Sequence, residues 1–99
     1  MAAIFTPKTT NEIIRITYDF SNAITDITET LTSAVWNVTT LIGVDANPNA
    51  MLNLPITLNN ASTSRLISGG VSGNTYKIDV IVTTSANQSF ELSGTIKIS

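Results

Sequence analysis

Two runs of alternating polarity close the chain, and they constrain its fold more than any other feature. Tyr76, Ile78, Val80 and Val82 interleave with Lys77, Asp79, Ile81 and Thr83. A period of two sends the first set to one face of a strand and the second set to the other. Ser85-Ala86-Asn87-Gln88 follows as a turn. Phe90, Leu92, Ile96 and Ile98 then face inward, with Glu91, Ser93 and Lys97 outward. A helix cannot hold that period, so the pattern predicts an antiparallel hairpin.

The same alternation recurs upstream in shorter blocks. Ile14, Ile16, Tyr18 and Phe20 alternate with Arg15, Thr17 and Asp19, and Ala34, Trp36 and Val38 alternate with Val35, Asn37 and Thr39. Leu52, Leu54, Ile56 and Leu58 form a fourth block; Pro55, on its opposite face, cannot donate to a ladder and so marks an edge strand. Thr63 to Ser68 is a fifth, weaker block. Thr, Ile and Val make up 35 of the 99 residues, and these β-branched side chains suit a pleated surface better than a helix. An all-β fold is predicted. Ile24, Ile27 and Leu31 recur at helical spacing behind Ser21 and Asn22, which would permit a turn or two of helix, against the Ile and Thr content of that stretch. Asp45 to Ala50, with Asn47-Pro48-Asn49 inside it, is expected to be a loop.

At this length one domain with one modest core is expected. Residues 1–11, with Ile4, Phe5, Thr6 and Pro7, read as an extended arm or edge strand, and residues 12–99 as a sandwich of about seven strands. The arm either forms the first edge strand or reaches to a neighbour. Phe5 on such an arm is a natural plug for another subunit, so Ile4, Phe5, Thr6 and Pro7 are the candidate partner-binding residues.

Two features sharpen the sandwich to an immunoglobulin-like one. Gly73-Asn74-Thr75-Tyr76 places a tyrosine at the start of the penultimate strand behind a glycine turn. This is the setting of a tyrosine corner, in which the phenol bonds back to backbone a few residues upstream. Trp36 stands alone on an earlier strand. Where antibody domains have a cysteine two residues after the corner tyrosine, this chain has Ile78, which is expected to pack against Trp36 and Ile14 or Ile16. Trp36, Tyr76 and Ile78 are therefore the expected core and corner.

Composition excludes most chemistry. Without cysteine or histidine there is no disulfide framework, thiolate nucleophile or imidazole base. The carboxylates Glu12, Asp19, Asp26, Glu29, Asp45, Asp79 and Glu91 are scattered over loops and outward faces, so no enzyme activity and no cofactor are expected. Asp45-Ala46-Asn47-Pro48-Asn49 imitates the start of a calcium loop, but Ala50 stands where glycine is needed and Ile56 where a bidentate glutamate belongs. No metal is expected, beyond a loop ion on Asp19, Asp26 or Asp45. Gly69-Gly70-Val71-Ser72-Gly73 lacks the Lys-Ser/Thr of a phosphate loop and opens a strand. Five basic residues spread from Lys8 to Lys97 form no patch for nucleic acid. Asn37, Asn60 and Asn87 begin glycosylation sequons, but a chain this rich in Asn, Ser and Thr gives about three by chance. No apolar run approaches the roughly 20 residues of a membrane span, and the start has no secretory pattern. The chain is expected to be made soluble and in the cytoplasm.

Lys8 and Glu12, then Tyr18-Asp19-Phe20-Ser21, Glu29-Thr30-Leu31-Thr32-Ser33-Ala34-Val35-Trp36, Leu66 with Gly69-Gly70, Gly73-Asn74-Thr75-Tyr76 and Val82-Thr83-Thr84-Ser85-Ala86 resemble, in order, a family of short virion proteins of tailed bacteriophages. These are encoded among the head and head-to-tail structural genes. The chain departs from the family at Asn87-Gln88, where Gly-Arg is usual, and between Leu41 and Asn60. The resemblance implies an immunoglobulin-like accessory protein of the virion. It would act as a capsid decoration or cement protein that binds the major capsid protein or its own symmetry mates through the arm and an exposed sheet edge, as a homo-oligomer on the virion. The alternative is a fibre- or tail-associated module that binds host glycans through the loops at 45–50 and 59–64.

Overall fold

The computed structural model of the chain describes residues 2–24 and 28–99. Seven strands lie in two sheets: β1 (Ala2–Ile4), β2 (Ile14–Asp19), β3 (Leu31–Ile42), β4 (Ile56–Leu58), β5 (Ser62–Ile67), β6 (Thr75–Thr84) and β7 (Ser89–Lys97). One sheet has the order β1-β7-β6-β3 and the other β2-β5-β4. All pairings are antiparallel except that of β1 with β7, which is parallel. Ten residues of β6 at about 3.4 Å each span most of the 42 Å long axis.

The hairpin forms as its alternation dictates. Tyr76, Ile78, Val80 and Val82 are buried between the sheets, Ile96 and Ile98 join them, and Phe90 and Leu92 are half-buried against the same core. Asn87 takes the left-handed conformation at φ 62° in the hairpin turn, which asparagine tolerates better than other side chains. From the facing sheet come Ile16, Tyr18, Phe20 and Ile67. Tyr18 ties the layers together: its ring packs on Trp36 at 5.4 Å and its hydroxyl donates to the Ile78 carbonyl at 2.6 Å. Across the β3–β6 ladder Trp36 faces Val80, while Ile78 faces Val38.

The fourth block departs from its expected form. Only Ile56–Leu58 is strand, while Pro48–Leu52 coils into a 3-10 helix that buries Met51 and Leu52 at one end of the sandwich. Proline is preorganised for a first helical position, which turns half of the expected 45–50 loop into a plug. The Arg65 guanidinium then donates to the carbonyls of Leu52 and Leu54, holding this stretch off the ladder. β4 is an edge strand, as Pro55 requires. Of the helical reading after Ser21, one turn exists, with the N–H groups of Ala23 and Ile24 both donating to the Phe20 carbonyl. Leu31 instead opens β3, and Ile27 lies outside the described residues.

The first residues do not stand away from the domain. Ala2, Ala3 and Ile4 pair with Ser93, Gly94 and Thr95, and the Phe5 N–H donates to the Thr95 carbonyl. The segment is the first edge strand of the larger sheet. Phe5 packs edge-on against Tyr18, with ring centroids 5.8 Å apart.

Candidate functional site

One end of the sandwich is tied shut by polar side chains. The Tyr76 hydroxyl accepts from the Val71 N–H at 2.9 Å and donates to Asp45 Oδ2 at 2.8 Å, so the phenol bonds back to backbone five residues upstream. Asn74 Nδ2 donates to the Val44 carbonyl, and Asp45 Oδ1 accepts from the Asn47 N–H. Lys8 is buried here, with Nζ donating to the carbonyls of Thr9 and Gly69 at 2.7 and 2.6 Å. Burial lowers its pKa, partly offset by the nearby Glu12 carboxylate. Its role was not legible in the sequence, where a lone lysine next to a proline reads as surface.

The two edges of the larger sheet differ from that end. β3 is twelve residues long and carries Val35 and Leu41 on its outer face with Ile42 at its end. Val35 lies opposite Ile81 on β6, and these two side chains are 65% and 46% exposed. The Val38 N–H points away from β6 and is capped by Asn49 Oδ1 at 2.8 Å. By the alternation of an antiparallel ladder, the backbone groups of Ala34 and Trp36 point the same way, and no described strand pairs with them. A long edge strand beside an exposed apolar strip is a template for another protein chain.

At the opposite edge, β1 covers only residues 93–95 of β7, and the upper part of β7 faces a cleft toward β2. A second cleft on the same flank is lined by Phe5, Thr6, Pro7, Glu12, Ile14 and Arg15. Three of the four candidate arm residues thus line one groove, with Thr6 and Pro7 exposed and Phe5 half-buried; of Ile4 the backbone pairing is described. Trp36, Tyr76 and Ile78 are all buried.

The structure does not gather the acids. Asp45 is engaged at the Tyr76 end, Asp19 accepts from the Ser21 N–H at the far end of β2, Asp79 lies 3.6 Å from Lys77, and Asp26 lies outside the described residues. Among the described residues no three acids lie close enough to hold a metal ion. No described helix is long and apolar enough to cross a membrane. Of the loops named for glycan binding, 45–50 is partly the 3-10 helix and 59–64 partly β5. What the geometry offers is surface for protein contact along sheet edges.

A family model described as "Podophage GP4 fiber-tail adaptor protein gp77" matches residues 8–97. No curated protein matches the chain. With nearly its whole length matched, the chain belongs to that family and is a structural protein of a phage virion.

Proposed function

We propose that this member of the podophage fiber-tail adaptor family is a non-catalytic adaptor that joins a fibre to the tail. The observation that carries the reading is the family match over residues 8–97. The family's description names the tail and the fibre, which supports a tail-associated role over a coat on the capsid lattice, and attachment of virion parts over glycan binding. The architecture suits that role physically. An adaptor must hold two partners at once, and the larger sheet has backbone with no described strand beside it on two flanks, along β3 on one side and, on the other, along the part of β7 that β1 does not reach. Strand addition at such edges gives affinity through main-chain hydrogen bonds. The low charge, 12% of residues, leaves the docking less sensitive to salt than a charged interface.

The sandwich itself is proposed to be immunoglobulin-like. Its strand order and the Tyr76–Val71 hydrogen bond support that reading.

Cosedimentation separates the virion positions. The purified chain is expected to saturate on tail complexes at a fixed copy number and to leave tailless heads unbound. Binding to heads without tails would return the role to capsid decoration.

A further inference from the structure

Between β7 and the end of β2 lies a cleft of about 260 Å³. Its walls include three successive residues of β7, Phe90, Glu91 and Leu92, the last residue of β2, Asp19, and Phe20 just after it. Successive side chains of a strand point to opposite faces, so a cavity touched by all three β7 residues opens at the strand's edge rather than beneath one face. The backbone there is open. The Thr95 and Lys97 carbonyls accept from Phe5 and Lys8, so the odd-numbered residues of β7 turn their backbone groups away from β6. By the same alternation the N–H and C=O of Glu91 and Ser89 face outward, beyond the last paired residue of β1 at Ser93.

The chemistry of the cleft selects its occupant. Its floor is apolar, made by Phe20, Phe90, Leu92 and Ala23. Its rim carries two carboxylates, Asp19 and Glu91, both on exposed residues, and no basic residue lines it. Neither carboxylate has an ion pair among the described residues. The Ser21 N–H, 2.8 Å from Asp19 Oδ1, holds the Asp19 carboxyl below the usual carboxylate range. An apolar trough ending in anionic groups fits a side chain with a long aliphatic stem and a cationic head.

We infer that this cleft is a strand-addition site that takes a lysine or arginine side chain from an extended segment of a partner protein. The inference rests on the adaptor reading only in taking that partner to be another virion protein. The added strand bonds to the Ser89–Glu91 edge, in line with β1, and lays its basic residue over Phe20 and Phe90 with the charge between Asp19 and Glu91.

The test uses the full chain, isotope-labelled for amide NMR, and a capped seven-residue peptide of alternating threonine and valine with lysine at its centre. The expected shifts fall on Phe20, Ala23 and Phe90–Leu92, and the same peptide with a central glutamate binds at least about tenfold more weakly. In the chain, Glu91→Gln weakens the lysine peptide about tenfold and Glu91→Lys abolishes binding, each with the rest of the spectrum unchanged. Equal affinity for the two peptides, shifts confined to the β3 edge, or no binding at millimolar peptide would overturn the inference. The adaptor reading fails separately: a chain that does not bind tails but shows the lysine-specific shifts loses the adaptor role and keeps the site. A Glu91→Lys chain that binds tails and fibres like the wild type keeps the adaptor role and overturns the site.

Discussion

Both ends of the sandwich are tied by long-range hydrogen bonds, but they differ in how fully they close. At the Tyr76 end, Asp45, Asn74, Lys8 and Met51 interlock from four separate segments, and the Asp45, Asn74 and Lys8 side chains all bond inside the chain. At the Phe20 and Phe90 end the sheets part into a cleft, although the hairpin turn is tied across 55 residues to the segment before β3, Ser85 N–H donating to the Thr30 carbonyl and Thr84 Oγ1 to Glu29. The first end is filled by its own side chains; the second leaves a cleft rimmed by the Asp19 and Glu91 carboxylates. In a domain whose total stability is of order 5–15 kcal/mol, a partner that docks in the cleft adds contacts without breaking the bonds that hold either end.

Truncation breaks the comparison most directly. Tyr76→Ala removes a fully buried ring and its hydrogen bonds, and is expected to cost about 4 kcal/mol in urea unfolding. Phe90→Ala, at a half-buried ring beside the cleft, is expected to cost less than about 2 kcal/mol. Equal costs would mean that the ends are not different in kind. Tyr76→Phe isolates the hydroxyl, and at about 1–3 kcal/mol it reports what an unpaired Val71 N–H and Asp45 carboxylate cost.

Glycines at the closed end sharpen the picture. Gly43 and Gly73 both have positive φ, 98° and 90°. A Cβ on Gly43 runs into the Asn74 side-chain amide, whereas one on Gly73 meets nothing within 4 Å. Gly43→Ala is expected to lower stability by about 2–3 kcal/mol and Gly73→Ala by about 1 kcal/mol, compared by thermal melts.

Lys8 gives the closed end a pH signature. Its folded pKa lies below the ordinary 10.5, so between the two values the unfolded chain binds more protons than the folded one, and stability rises with pH. A neutral amine still has two N–H donors for the carbonyls of Thr9 and Gly69. Subtracting the unfolding free energy of Lys8→Met from that of the wild type is expected to leave a difference that rises with pH and levels off near 10.5. A falling difference would mean that the ammonium is stabilised, not strained, by its burial. The smallest effect belongs to the open end. Asn87→Gly relieves a left-handed residue in an exposed turn and is expected to shift stability by less than about 0.5 kcal/mol.

Strands whose side chains alternate in the sequence were legible there, because the period of two survives without knowing any partner; β2, β6 and β7 follow it, and Tyr18, Trp36 and Tyr76 lie on the faces it gives them. What the pattern could not carry is long-range. Lys8 meets Gly69 across 61 residues, and Asp45 meets Tyr76 across 31, through side chains that look like surface in isolation. The 3-10 helix at Pro48 was hidden because Leu52, Leu54, Ile56 and Leu58 alternate like a strand, while the Arg65 guanidinium takes the carbonyls that a ladder would have used. The β7 cleft is an edge feature. Its anionic rim exists only because Asp19, the last residue of β2, and Glu91, near the start of β7 and 72 positions away, line the same cleft.

The measurement that bears most directly on the adaptor role is reconstitution. Tail complexes stripped of this chain and of fibres are mixed with purified fibres, with and without the chain, and fibre attachment is counted by electron microscopy. The account predicts that fibres attach only when the chain is present, at a copy number that saturates with it. Fibres attaching equally well without it would contradict the account.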